Sequence, residues 1–350
     1  MLKHSFAIVL ALSATPALSL DLLTALRSNG LTEYAEALQR VPSIANASGP
    51  GLVIYASTNE AILAANSANV SGGSRRRQGN QKPTPAECQN QAGTGNYPPE
   101  LRRRETIISP GTALQTFLNN PELVNLGPGR NQTVVEKCLP NQLWPVVFSG
   151  LGTNVSIVGY DIPFDGGVIR PVCGIFTIPE SLSKSLKVPF LDTRKFFSAL
   201  NRTGLLSDIE NRPGITVLAP TDAALATVGN LSDSELAKVL QRHILTNVTA
   251  YTPVLRDGKS LPSLAGDQVT ISLKNGSYHI NDAIIVKGDV IIKNGVLHTI
   301  DKVLGPSSSP SPTQSATHSP TLTIVPGAGD RVRPLAWPVF IWTFVLVLIT

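Results

Sequence analysis

With 350 residues, 42% of them apolar and 15% charged, the chain is long enough for two domains and has an ordinary globular composition. Its formal net charge of +5 is raised by two arginine runs, yet nucleic acid is excluded as a partner because both ends of the chain carry a secretory address. No GxSxG elbow, HExxH pair or phosphate-cradling P-loop is present, and no Cys/His spacing forms a zinc site, so the sequence predicts no enzyme, no cofactor and no metal.

Residues 1–19, "MLKHSFAIVLALSATPALS", have a basic start at Lys3 and His4, an apolar stretch from Phe6 to Leu12, and small residues at Ala17 and Ser19. That order reads as a signal peptide cleaved after Ser19; the apolar run is too short to span a bilayer. Next, "LTALRSNGL" (Leu23 to Leu31) reads as a short amphipathic helix stopped by Gly30. "LVIYASTNEAI" (Leu52 to Ile62) reads as an apolar strand, a turn, and a helix capped by Thr58.

Residues 66–105 are polar and rich in Gly and Pro, and read as a surface insertion with little regular structure. This stretch holds Arg75-Arg76-Arg77 and Arg102-Arg103-Arg104. The runs suit a solvated loop, a salt-screened contact with anionic glycans, or a convertase cleavage site. Cys88, Cys138 and Cys173 predict one disulfide plus a leftover thiol, with the pairing open.

The second part of the chain repeats the first in order. "FSALNRTGL" (Phe197 to Leu205) matches the first helix, and "ITVLAPTDAAL" (Ile215 to Leu225) matches the strand-turn-helix, with Thr221 as N-cap and Asp222 in the first turn. "AIIVKGDVIIKNGVLHTI" (Ala283 to Ile300) matches "VSIVGYDIPFDGGVIRPV" (Val155 to Val172) without a gap. Both alternate like antiparallel strands, with hairpin turns expected at Asp165-Gly166 and Asn294-Gly295. Thr58 to Gly167 is 109 positions and Thr221 to Gly295 is 74, so the first copy carries about 35 extra residues. In the closing strand, Arg170 and Cys173 of the first copy stand where the second has His298 and Asp301. A site used by both copies would not survive that exchange, so His298 reads as a buried, hydrogen-bonded imidazole that ties strand to helix.

These paired motifs resemble the fasciclin domain, most closely in "TVLAPTDAAL", "LSDSELAKVLQRHIL" and "GVLHTIDKVLGP" of the second copy. Ser232 and Glu235 form a capping box before the helix that ends at His243, where Arg242 departs from the usual Tyr-His pair. The first copy is degenerate, with "STNEA" at the turn and no clear counterpart of the His243 helix. The resemblance implies an α+β fold: two tandem fasciclin-like domains, each a wedge of two small antiparallel sheets with helices along one side. They are expected over 20–182 and 188–306, with a linker near Ser183 to Val188. Thr221, Asp222, His243, His298 and Asp301 are the candidate structural or adhesion residues.

A Ser/Thr/Pro-rich stalk follows over 307–329. The apolar tail within 330–350 reads as a glycosylphosphatidylinositol (GPI) attachment signal that is removed, with Gly327 or Ala328 as the attachment residue; a transmembrane tail is the alternative. Sequons at Asn46, Asn69, Asn131, Asn154, Asn201, Asn230, Asn247 and Asn275 predict a glycosylated surface. Together these features suggest a fungal-type surface protein on the outer face of the plasma membrane or in the cell wall. Its expected partners are cell-surface or matrix proteins, or wall glycans. The rival is a carrier or receptor for a small apolar or glycan ligand.

Overall fold

The computed structural model describes residues 20–47, 51–67, 81–94, 111–140 and 142–305. Asn69, both arginine runs, Gly327, Ala328, the leader, the stalk and the tail lie outside the described residues.

The first half opens with α1 (Leu22–Ser28), α2 (Thr32–Leu38) and α3 (Pro42–Ala45). It continues through β1 (Leu52–Ser57), α4 (Asn59–Ser67), α5 (Pro85–Asn90), β2 (Ala92–Thr94), β3 (Thr112–Thr116) and β4 (Thr133–Lys137). It closes with β5 (Val146–Phe148), β6 (Asn154–Ser156), β7 (Ile162–Phe164) and β8 (Gly167–Val172). The eight strands make one sheet in the order β6-β5-β4-β3-β2-β1-β8-β7. It curls until Ile157, just past β6, bridges to Val172 of β8.

The second half follows the same plan. Its helices are α6 (Leu182–Leu186), α7 (Arg194–Arg202), α8 (Leu205–Asn211), α9 (Asp222–Leu225) and α10 (Asp233–Arg242). Strand β9 (Ile215–Pro220) lies between α8 and α9. After α10 come β10 (Ile244–Leu245), β11 (Ser260–Pro262), β12 (Gln268–Lys274), β13 (Ser277–Ile280), β14 (Ala283–Ile292) and β15 (Gly295–Ile300). The seven strands run β10-β9-β15-β14-β13-β12-β11.

The α+β layout is the expected one, but each sheet contains one parallel pair, set one strand in from an edge: β1-β8 in the first half and β9-β15 in the second. Leu52 to Ser57 run beside Gly167 to Val172, and Ile215 to Pro220 beside Gly295 to Ile300. Every residue of β1, β9 and β15 is buried. Both faces of these strands are therefore covered, which is why β1 and β9 read as mainly apolar runs rather than alternating ones. On one face the helices pack: Leu26, Tyr34 and Leu38 in the first half, Phe196, Leu200 and Leu240 in the second. Inside the curl lie Val53, Tyr55, Leu114 and Phe176, and in the second half Leu218, Ile271 and Ile300. Each such aliphatic or Phe side chain contributes roughly 1.5–3 kcal/mol by leaving water.

Three expectations change. Residues 81–94 of the supposed insertion are structured: Thr84 and Glu87 form a reciprocal capping box that opens α5, and β2 follows. In addition, α5 is the missing counterpart of the His243 helix. The amide of Tyr55 in β1 donates to the carbonyl of Gln91 at the end of α5, as that of Leu218 in β9 donates to His243 at the end of α10, both at 2.8 Å. Finally, the expected linker near Ser183 to Val188 is mostly α6, whose Leu182 and Leu186 are wholly buried in the second core. The hairpin turns fall at the same place in the two copies, one residue before the position expected for the second. Asp165-Gly166 joins β7 to β8 as expected, whereas the second turn is Lys293-Asn294 and Gly295 already pairs with Ile292.

Gly167 and Gly295 occupy the same place in the two sheets, at the start of the closing strand. A Cβ there would run into the carbonyl of Leu52 or of Ile215, across the parallel pair. The substitution Gly295→Ala is expected to cost at least about 2 kcal/mol by forcing these backbones apart. Equilibrium urea unfolding of the variant checks this, and an unchanged midpoint would contradict it.

Candidate functional site

The residues singled out in the sequence do not converge on one place. Thr221 caps α9 by accepting the Ala224 amide at 3.1 Å. Asp222 turns the other way and accepts the Lys195 amide at 2.6 Å, holding the start of α7. Asp301 accepts the Ile284 amide at 2.6 Å and so pins the beginning of β14.

His243 is buried at the C-terminal end of α10. Its Nδ1 lies 2.8 Å from the Val239 carbonyl, and its Nε2 accepts the Leu304 amide at 2.9 Å. The proton is therefore on Nδ1, and the imidazole fastens the chain beyond β15 to the helix. Burial lowers its pKa to about 4 against the Val239 carbonyl, which favours the charged form.

His298 sits in the middle of β15 and is 1% exposed. Its Nδ1 accepts the Asp289 amide at 3.2 Å, which leaves Nε2 to donate to the Ala250 carbonyl at 2.9 Å. It thus ties the strand to β14 and to the loop after β10, not to a helix as expected. Asp289 lies in an irregularity of β14, where the register against β15 shifts, and takes a left-handed φ of 59°. The bulge turns its carboxylate inward to 0% exposure. There it accepts the Thr252 amide at 2.8 Å and the Thr252 hydroxyl, and it forms an ion pair with Lys137 of β4, from the other half. Burial alone would raise the Asp289 pKa, but Lys137, His298 and Thr252 together hold it below the ordinary carboxylate value. Burial likewise lowers the His298 pKa, against the opposing pull of Asp289.

This strand-turn-helix, capped helix and histidine-bearing closing strand can be compared with known proteins. The family model described as the fasciclin domain matches residues 191–306. These residues are a fasciclin domain. A fasciclin-like arabinogalactan protein, elcF, of the fungus Phaeosphaeria nodorum is 30% identical over 205 residues, covering 57% of this chain and 63% of the relative. Another fasciclin-like arabinogalactan protein, from Arthroderma benhamiae, is 26% identical over 240 residues, covering 67% of this chain and 54% of the relative. The chain thus spans a little over half the length of these relatives. Among solved structures, the FAS1 domain pair of the insect cell adhesion molecule fasciclin I aligns with 79% of this chain and 97% of its own, at 14% identity and a TM-score of 0.34.

Beside this fasciclin domain, the first half keeps the acid and changes its partner. In the gapless pairing of the copies, Asp161 stands where the fasciclin domain has Asp289, and Arg170 stands for His298. Arg170 Nε donates to Asp161 at 3.0 Å, while its guanidinium also pairs with buried Glu136, which accepts the Tyr55 hydroxyl at 2.8 Å. Gln91, in the place of His243, donates to the Tyr55 carbonyl at 2.7 Å and the Ser57 hydroxyl at 2.9 Å. The tie between strand and neighbouring loop therefore survives the exchange of base.

The predicted disulfide is not formed. Cys88 is buried in the helix-side core of the first half, Cys138 is half-buried, Cys173 is exposed, and no bridge joins them. The three fall on separate parts of that half: inside α5, just after β4 and just after β8.

The sequence reading missed Asp289, Thr252 and Lys137. The acid was legible as an Asp shared by both copies; Lys137 was not, because nothing local marks its partner 152 positions away. Around this pair the two halves meet through Val135, Tyr251, Ile291 and Val296, and Gln132 donates to the Ile292 carbonyl at 3.2 Å. Gly150 and Glu180 also bridge to Ile291 and Ile292.

Replacing Lys137 with Met leaves a buried, unpaired carboxylate and is expected to destabilise the protein by about 3–5 kcal/mol. Adding Asp289→Asn is expected to recover part of that loss, and a double-mutant cycle in urea measures the coupling. The histidines set a pH dependence. Because the folded pKa of His243 lies below the unfolded value of 6.5, the unfolded chain binds the extra proton first. The contribution is complete above pH 6.5, shrinks as pH falls toward 4, and amounts to about 3 kcal/mol at its fullest. Melting midpoints measured across this window should fall in the native protein, and fall less steeply in His243→Gln.

Proposed function

We propose that this protein is a GPI-anchored surface glycoprotein that acts in cell adhesion or in organising the cell wall or extracellular matrix, without catalysing a reaction. The carrying observation is that His243 and His298 both have their two ring nitrogens committed inside the protein. Asp289 and Asp222 are likewise occupied with backbone amides. The groups that chemistry would use instead hold elements together, which fits an adhesion-type family whose surface does the work.

The surface supports the reading. Asn46, Asn154, Asn201, Asn230, Asn247 and Asn275 are exposed and available to carry glycans. Asn154 is on an edge strand with its side chain outward. Asn131 is half-buried and donates to the Thr116 carbonyl at 2.9 Å, so a glycan there would have to displace that bond. In this reading, residues 1–19 are removed as a leader and 20–182 and 188–306 are tandem fasciclin-like domains, with α6 packed onto the second. The 307–329 stalk extends them from a lipid attached at Gly327 or Ala328. The partners are cell-surface or matrix proteins, or wall glycans.

Treatment of intact expressing cells with a phosphatidylinositol-specific phospholipase should release the protein into the medium. Cells lacking it should adhere less to each other or to matrix-coated plates. Retention after phospholipase with release only by detergent would show a membrane-spanning tail instead.

A further inference from the structure

We propose that a cleft between the two halves binds an uncharged saccharide unit. The cleft has a volume of about 330 Å³ and is walled on one side by the Pro121–Asn125 loop and on the other by α6, α8 and the Lys293-Asn294 turn. That volume lies at the lower end of the range for small-molecule sites. The walls are pinned to each other. The Asn125 amide donates to the Lys293 carbonyl at 2.8 Å, the Lys293 amide to the Glu180 carbonyl at 2.9 Å, and the Asn125 side chain to the Asn211 carbonyl at 3.2 Å. A ligand would enter a preformed site at little ordering cost.

The lining decides the chemistry. Exposed Pro121 and the nearly buried Val124 supply a small apolar patch. Asn294 is 1% exposed; its Nδ2 donates to the Ile209 and Arg212 carbonyls at 2.8 and 2.9 Å, and among the described residues nothing donates to its Oδ1. Lys293 forms no ion pair among the described residues, and Glu210 spends one oxygen on the Ser183 amide at 2.7 Å and keeps the other. One cation and one carboxylate leave the cleft with no net charge, so neither an anion nor a cation is favoured overall. What remains is one donor, the Lys293 ammonium, and two acceptors, a Glu210 oxygen and Asn294 Oδ1, beside a small apolar patch. A pyranose matches it, because each hydroxyl both donates and accepts while one face of the ring presents C–H groups. A zwitterionic amino acid would meet the two charges and could donate to Asn294 Oδ1, but it presents no ring face of C–H groups to the apolar patch, and it is the comparator in the test. The site goes beyond the adhesion reading and does not depend on how the protein is anchored.

The test uses the full secreted glycoprotein and saturation-transfer NMR with cellobiose, laminaribiose, maltose and the methyl glycosides of mannose, galactose and arabinose, with glycine and glutamine as comparators. At least one sugar should bind saturably at millimolar concentration, insensitive to salt. Lys293→Met keeps the backbone bonds of the turn and should weaken that binding by about tenfold or more, with an unchanged melting midpoint. Asn211→Ala, on the exposed rim, should weaken it as well. No saturable sugar signal, binding only of the amino acids, or sugar binding untouched by Lys293→Met in a folded protein would each overturn the proposal. Failure here leaves anchoring and adhesion, read by phospholipase release and cell adhesion, to stand or fall separately.

Discussion

A carboxylate with no solvent exposure has to be neutralised or fully paired, and Asp289 is paired. Its partners come from different parts of the chain: Lys137 on β4 of the first half, Thr252 in the loop after β10, and, through its own amide, His298 on β15. Each partner is held in place by the requirement that this charge not be left alone. Once the bulge in β14 has turned Asp289 inward, the long loop of the second half, its closing strand and the neighbouring half have little freedom to shift. Such a pair adds little net stability compared with an apolar replacement, since both ions lose water. Its effect is on arrangement: other packings of the halves would strand a charge.

The two copies show which part of this device is general and which is local. An aspartate is kept at Asp161 and Asp289, and both reach the residue at the matching position of the closing strand. The base differs, and with it the surroundings. A neutral imidazole needs one acceptor and one donor, which Ala250 and Asp289 supply. The Arg170 guanidinium is always charged and needs carboxylates, which Asp161 and Glu136 supply. The helix-end residue changes in the same way, from His243 to Gln91, while the backbone bond it makes to β9 or β1 is retained. The first half is a diverged version of the same layout, with its polar interior rebuilt around a permanent cation.

Much of the fold was legible locally. Caps at Thr221 and Ser232, the apolar runs of β1 and β9, and the hairpin at Asp165-Gly166 all act within a few residues, and all are where the sequence placed them. The reading of α5 failed although its capping box, Thr84 to Glu87, was there to see. Gly, Pro and charge on both sides made the whole stretch look like surface loop, and composition outweighed a specific four-residue signal. The α6 segment falls where two tandem fasciclin-like domains imply a linker. Its two leucines count only once the second core exists to receive them.

The sequence by itself determined the repeat, the order of elements, the fasciclin-like second half and the burial of its closing strand, because these follow from periodicity, caps and turns that act over short distances. Tertiary structure alone decided the parallel pair within each sheet, the tie of His298 to Ala250, the pairing of Lys137 with Asp289 and the cleft under the Lys293-Asn294 turn. Those depend on contacts between residues tens to well over a hundred positions apart, and no local pattern specifies which distant side chain will share a desolvated site.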